Sequence, residues 1–132
     1  MSGQDELIHG LFARRAAEFP DAPAVIQGAL RVSYRELDAL AEELAGRLAG
    51  QGIGPGSLVP VLLPRSIQLV TAFLAVLKCG AAYAALDPRW PQERLDRLVG
   101  QLGSPVVVTE GEAPAGRQAV APARPGQPLP AA

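Results

Sequence analysis

The densest run of glycine in the chain, Gly50-Gln51-Gly52-Ile53-Gly54-Pro55-Gly56, is the first place to look for phosphate chemistry. A loop that cradles a dinucleotide phosphate follows a strand and opens a helix, so that the first helical amides point at the anion. Here the apolar pattern predicts a helix before the run and a strand after it, and the spacing is not Gly-x-Gly-x-x-Gly. A helix cap followed by a turn is the expected role. A Walker loop needs Gly-Lys-Ser/Thr, and the single lysine, Lys78, stands between Leu77 and Cys79. That chemistry is excluded.

Nucleophilic and acid–base candidates are few. His9 has no partner within its own segment, and a surface or packing role is expected. Cys79 can be read as a thiol whose pKa Lys78 lowers, or as a small buried hydrophobe. Asp87 closes an apolar run at the end where open α/β sheets bind ligands, yet an Asp before Pro88 also suits a turn. Trp90, between Arg89 and Pro91, offers a stacking surface for a ligand or an anchor at the start of a helix. Asp38, Glu42 and Glu43 read as a solvated helix face. One cysteine and one histidine cannot complete a protein-only zinc site. No catalytic, cofactor-binding or metal-binding residue is assigned from these residues.

The elements that would position such groups follow from periodicity. Leu7, Ile8, Leu11, Phe12, Ala16 and Phe19 share one helical face, which Pro20 and Pro23 bring to an end. Residues 24–26 and 30–32 read as two short strands around a turn at Gln27-Gly28-Ala29. Ser33-Tyr34-Arg35-Glu36 fits a capping box ahead of the stripe Leu37, Leu40, Ala41, Leu44 and Leu48. Glu43 and Arg47 stand one turn apart on the opposite face.

Residues 58–63 form an apolar run with Pro60 inside it, consistent with a strand. A helix carrying Ile67, Leu69, Val70, Phe73, Leu74 and Leu77 follows, apolar nearly all round, and Gly80 ends it. Residues 81–86 form a second strand whose small residues suit cover on both faces. Pro91 opens a helix with Leu95, Leu98, Val99 and Leu102; Gly103 ends it, and a strand over 105–109 follows. The order strand, helix, strand, helix, strand predicts an α/β fold with a parallel sheet, flanking helices and a short N-terminal hairpin.

With 132 residues, the chain is one small domain at most. Its net charge of −1 gives no drive toward nucleic acid or an anionic membrane. The longest apolar run, residues 69–77, is far short of the roughly 20 residues that a span needs. The acidic start Asp5-Glu6 is unlike a signal peptide, and a cytoplasmic protein is expected. Residues 111–132 hold five Pro, three Gly and seven Ala, so the folded part is expected over 1–110 and a linker or disordered tail over 111–132. The Pro-x-x-Pro spacing of Pro122, Pro125 and Pro128 fits a solvated linker or a peptide-recognition ligand.

Two segments resemble a known family. Val32-Ser33-Tyr34-Arg35-Glu36-Leu37 is similar to the first core motif of the amino-acid adenylation domains of nonribosomal peptide synthetases, Leu-Thr/Ser-Tyr-x-Glu-Leu. Leu77-Lys78-Cys79-Gly80-Ala81-Ala82-Tyr83-Ala84-Ala85-Leu86-Asp87 resembles the second, Leu-Lys-Ala-Gly-x-Ala-Tyr-Val-Pro-Leu/Ile-Asp. The flanks, Phe12 through Pro20-Asp21 and Pro88 with Trp90-Pro91-Gln92-Glu93-Arg94-Leu95, agree in order and separation. Tyr83 and Asp87 favour this branch over the related acyl-CoA ligases; Cys79 for Ala and Ala84-Ala85 for Val-Pro are the departures.

The resemblance implies part of the large N-terminal subdomain of an adenylate-forming enzyme. Full-length members activate an amino acid with ATP and Mg²⁺ to an aminoacyl adenylate and load it on a carrier-protein phosphopantetheine thiol. Their phosphate-gripping loop, amino-acid pocket and catalytic lysine lie downstream of the matching region, so no catalytic residue is carried over and no cofactor is expected for this segment alone. The expectation is an inactive piece, excised or naturally truncated, whose partners are the remainder of its adenylation domain or adjacent condensation and carrier domains. A non-catalytic stub that packs on a neighbouring or split synthetase domain is the alternative, and a small flavodoxin-like nucleotide binder is a third.

Overall fold

A computed structural model describes Phe12 and residues 14–28 and 30–125. Phe12 and residues 14–18 are helical; the expected helix positions Leu7, Ile8 and Leu11, and His9 with them, lie outside the described residues. The antiparallel hairpin pairs β1 (Pro23–Gln27) with β2 (Leu30–Ser33). Gly28 takes φ 61° in the turn, a conformation that only glycine adopts without strain.

Helix α1 spans Tyr34–Gly50, and the Ser33 hydroxyl accepts the Glu36 amide at 3.1 Å, as the capping pattern requires. Glu43 and Arg47 pair one turn apart, with bonds of 2.6 and 2.8 Å. Strand β3 (Leu58–Leu62), helix α2 (Ile67–Lys78), strand β4 (Ala82–Leu86), helix α3 (Gln92–Leu102) and strand β5 (Val106–Thr109) then alternate. The α/β reading holds. With a last short strand β6 (Gln118–Val120), all pairings in the four-stranded sheet are parallel, and its order is β4-β3-β5-β6.

The sheet has two covered faces because the crossovers lie on opposite sides. Val59, Val61, Val106 and Val108 meet Leu44 and Leu48 of α1 and Ala72, Ala75 and Val76 of α2. On the other face Val107 meets Val99 of α3. A third cluster ties Val32, Leu37, Ala41, Ile67 and Leu74 together, with Phe12 and Val25 against it. This cluster fixes the hairpin on the helical layer.

Two expectations need correction. The folded part does not end at residue 110. Strand β6 (Gln118–Val120) adds to β5 in parallel, Val120 enters the main core, and Ala113, Pro122 and Ala123 are buried. The Arg47 guanidinium donates to the Ala121 carbonyl at 2.8 Å, and Arg124 meets Glu110 at 2.7 Å. Prolines suit this edge segment, since a residue without an amide proton loses nothing where no ladder bond is formed. Pro125 is the last described residue, and Pro128 lies outside.

Strand β4, expected to be covered on both faces, is instead the sheet's edge among the described residues. Its register with β3 (Val59 with Tyr83, Val61 with Ala85) turns Tyr83 and Ala85 to the α1/α2 side. Tyr83 is 38% exposed there, and Ala85 is exposed beside it. The helical layer reaches the strand through Phe73 of α2 and covers it only in part.

Candidate functional site

Three places on this fold could hold chemistry: the glycine loop, the carboxyl ends of the parallel strands, and the C-terminal end of α2. In the first, the backbone amides are spent on their own chain. Gln51 and Ile53 donate to the Leu48 carbonyl at 2.9 and 3.1 Å, and Gly52 donates to Ala49 at 3.0 Å. Gly54 donates to the Ser57 hydroxyl at 3.1 Å. Gly52 and Gly56 both take φ 89°, so the glycines serve a cap and a turn, as expected.

The carboxyl ends of the strands are the usual ligand position in an open α/β sheet, at the point where the strand order reverses. Here that point lies between β3 and β5, because β3 is flanked by β4 and β5. The helix that opens there is α2, and its first amides already have acceptors. Ile67 donates to the Gln27 side chain at 2.9 Å, across from the hairpin, and Leu69 donates to the Ser66 hydroxyl at 3.2 Å. An incoming phosphate would have to displace both.

Asp87, at the end of β4, is a turn residue. Its carboxylate accepts the Arg89 amide at 2.9 Å and the Arg89 guanidinium at 2.9 and 3.1 Å. The side-chain bond from Arg89, then the backbone bond, holds the Asp87 carboxyl below the usual carboxylate range. Its charge is thus met by its own turn. Trp90 stacks under Arg94, whose guanidinium carbon lies 4.3 Å from the ring centroid. The half-buried indole is used as an anchor at the start of α3.

At the end of α2 the structure brings together residues that sequence reasoning kept apart. Lys78 reaches back to α1, with Asp38 at 2.9 Å and Glu42 at 2.7 Å. Its side chain is only 8% exposed. Burial alone would lower the Lys78 pKa; hydrogen bonds and charge from Glu42 and Asp38 outweigh it and hold the ammonium above its ordinary value. Asp38 and Glu42 are therefore not simply a solvated face. The signal was available in their spacing of four, which places two carboxylates on one side of α1.

Cys79 is correspondingly not activated. Burial, and then the Glu42 charge, push its thiol up, and its Sγ donates to the Ala45 carbonyl at 3.4 Å. Lys78 has given its charge to the two carboxylates, so the packing role stands and the reactive one falls.

Among the described residues no group of three His, Cys, Asp or Glu could hold a metal ion, and no helix is long and apolar enough to cross a membrane. The Tyr83 ring stacks on Phe73 of α2, with centroids 4.1 Å apart and planes 17° from parallel, at the free edge of β4.

Comparison with known proteins gives this geometry a context. A family model described as AMP-binding enzyme matches residues 12–130. The chain is 41% identical over 103 residues to tyrocidine synthase 2 of Brevibacillus parabrevis, covering 78% of this chain and 3% of that protein. With syringomycin synthase SyrB1 of Pseudomonas syringae pv. syringae it shares 42% identity over 92 residues, 70% of this chain and 15% of SyrB1. A crystal structure of the nonribosomal peptide synthetase FmoA3, bound to alpha-methyl-L-serine-AMP, matches with a TM-score of 0.79 at 31% identity. That match covers 86% of this chain and 14% of FmoA3. The N-terminal subdomain of NpsA from Klebsiella oxytoca shares the fold, with a TM-score of 0.75 at 22% identity over 86% of this chain and 30% of that one. The chain spans a small fraction of the relatives it matches.

Proposed function

Since this chain belongs to the AMP-binding enzyme family, as the N-terminal part of a nonribosomal peptide synthetase adenylation domain, we propose that it is the scaffold segment of an amino-acid-activating ligase. The complete enzyme would join an amino acid to ATP, with Mg²⁺, as an aminoacyl adenylate and pass it to a carrier-protein phosphopantetheine thiol in the cytoplasm. Within that enzyme this segment supplies the parallel strands, the capped helices α1 and α2 and the Lys78 brace. Asp87, the glycine loop and the start of α2 make their hydrogen bonds within the chain, which supports a scaffold role. The partners in this reading are the remainder of the adenylation domain and the adjacent condensation and carrier domains.

The observation that carries the reading is the order of the two motifs on one framework. The first motif is the β2–α1 junction with its Ser33 cap, and the second is the end of α2 together with β4. ATP–pyrophosphate exchange tests it. Residues 1–132 alone should give no amino-acid-dependent exchange above a heat-killed control, because the groups that stabilise a transferring phosphate are not in this segment. Exchange by the chain alone would overturn the reading. The free edge of β4 also favours a second use, as a non-catalytic module that packs on a neighbouring synthetase domain; a monodisperse monomer that leaves a hydrophobic dye dark would count against it.

A further inference from the structure

We infer that residues 111–125 form a loaded strap over the outer edge of β5, which opens as a unit while the rest of the sheet stays folded. The load sits in the crossover. Residues 110–117 alone join β5 to β6, where a parallel connection ordinarily takes about a dozen residues or more, usually as a helix. A single short 3-10 turn, Pro114–Gly116, stands in for that helix. Inside it Ala115 takes φ 57° and ψ 25°, and among the described residues it is the one non-glycine residue with positive φ. Two residues on, the Arg117 Nε is buried and has no hydrogen-bond partner among the described residues. Water satisfies that donor once the crossover lifts.

A small set of contacts holds the strap shut. On the crossover, the Asp96 carboxylate of α3 accepts the Ala115 amide at 2.8 Å, and the Gln92 side chain donates to the same oxygen at 3.0 Å. Gln118 donates to the Pro105 carbonyl at 3.3 Å, Val120 enters the core, and Arg47 bonds the Ala121 carbonyl at 2.8 Å. Strand β6 is three residues long and, among the described residues, pairs with β5 alone. None of these contacts belongs to the β4-β3-β5 pairing, so releasing them leaves that ladder whole. Opening bares the outer edge of β5, with its unpaired amides and carbonyls.

Native-state hydrogen exchange followed by NMR reads the strap in the 132-residue chain. The Ala115 and Gln118 amides should have protection factors at least about tenfold below those of the slowest β3 amides. Sub-denaturing urea should lower the β3 values steeply and barely move the other two, because the strap exposes little surface as it opens. Ala115→Gly removes the backbone strain and Arg117→Met removes the unpaired donor. Each should raise Gln118 protection about threefold or more. Asp96→Ala should lower it by a similar factor, whereas Asp96→Asn, which keeps a carbonyl oxygen as acceptor, should stay close to the unaltered chain. Protection of Ala115 and Gln118 equal to that of β3, with the same urea dependence, would overturn the proposal, since the segment then opens only when the whole chain unfolds. Gln118 protection unmoved by both Ala115→Gly and Arg117→Met would overturn the crossover as the source of the load.

Discussion

The Lys78 ammonium lies 2.7 Å from the Glu42 carboxylate and so joins the last turn of α2 to the middle of α1. Asp38 completes the contact from one turn earlier on α1. The lysine is nearly buried while both carboxylates keep contact with water, so this brace is neither a fully buried ion pair nor a surface one.

Replacing the lysine should loosen the two-helix layer without unfolding the chain. Lys78→Met keeps the stem's packing and removes the charge, leaving two carboxylates that water can still reach. The loss should be about 1–2 kcal/mol, below the cost of breaking a fully buried pair. Urea unfolding of the two proteins at neutral pH measures it.

The same pair gives a pH dependence with a defined sign. The folded-state pKa of Lys78 is raised above 10.5, so its contribution is full below the unfolded value and is lost as pH rises through the folded one. The stability gap between wild type and Lys78→Met should therefore stay level up to about pH 10 and narrow above it. Unfolding free energies compared from pH 7 to 11 test this.

Cys79 should be a slow thiol. Its pKa lies above 9.0, with burial as the main cause, and its Sγ is bonded to a main-chain carbonyl. Alkylation by iodoacetamide at pH 8 should run at least tenfold below that of the urea-unfolded chain. Equal rates would show that the thiol is open.

The segment after residue 110 should be structural. A chain ending at residue 110 loses β6, the Val120 contact and the Arg47–Ala121 bond. It should melt well below the full chain. The single change Val120→Ala should cost about 1–2 kcal/mol, as expected for deleting part of a buried aliphatic side chain. Thermal and urea melts of both variants test this.

These predictions mark where the sequence was legible. The caps and periods told the truth because they act over one turn: Ser33 bonds Glu36, Glu43 meets Arg47, and Gly103 ends α3 with φ 71°. Composition misled where burial depends on neighbours that are distant in sequence. Pro, Ala and Gly after residue 110 look like linker, but a parallel strand needs only a few residues and an open edge at β5. The small residues of β4 record a preference for cover, whereas its exposure is decided by how far α1 and α2 extend over the sheet. Local partners that spacing alone does not reveal are what the structure adds at the candidate groups it describes: Arg89 for Asp87, Ala45 for Cys79, and Ser66 and Gln27 for amides in the first turn of α2.

ATP–pyrophosphate exchange with alpha-methyl-L-serine is the most direct test of the central claim that this chain is the scaffold segment of an adenylating enzyme. The 132-residue chain alone should match its heat-killed control, and FmoA3 carrying this chain in place of its matching segment should exchange. Exchange by the chain alone, or a folded chimera with none, would contradict that claim.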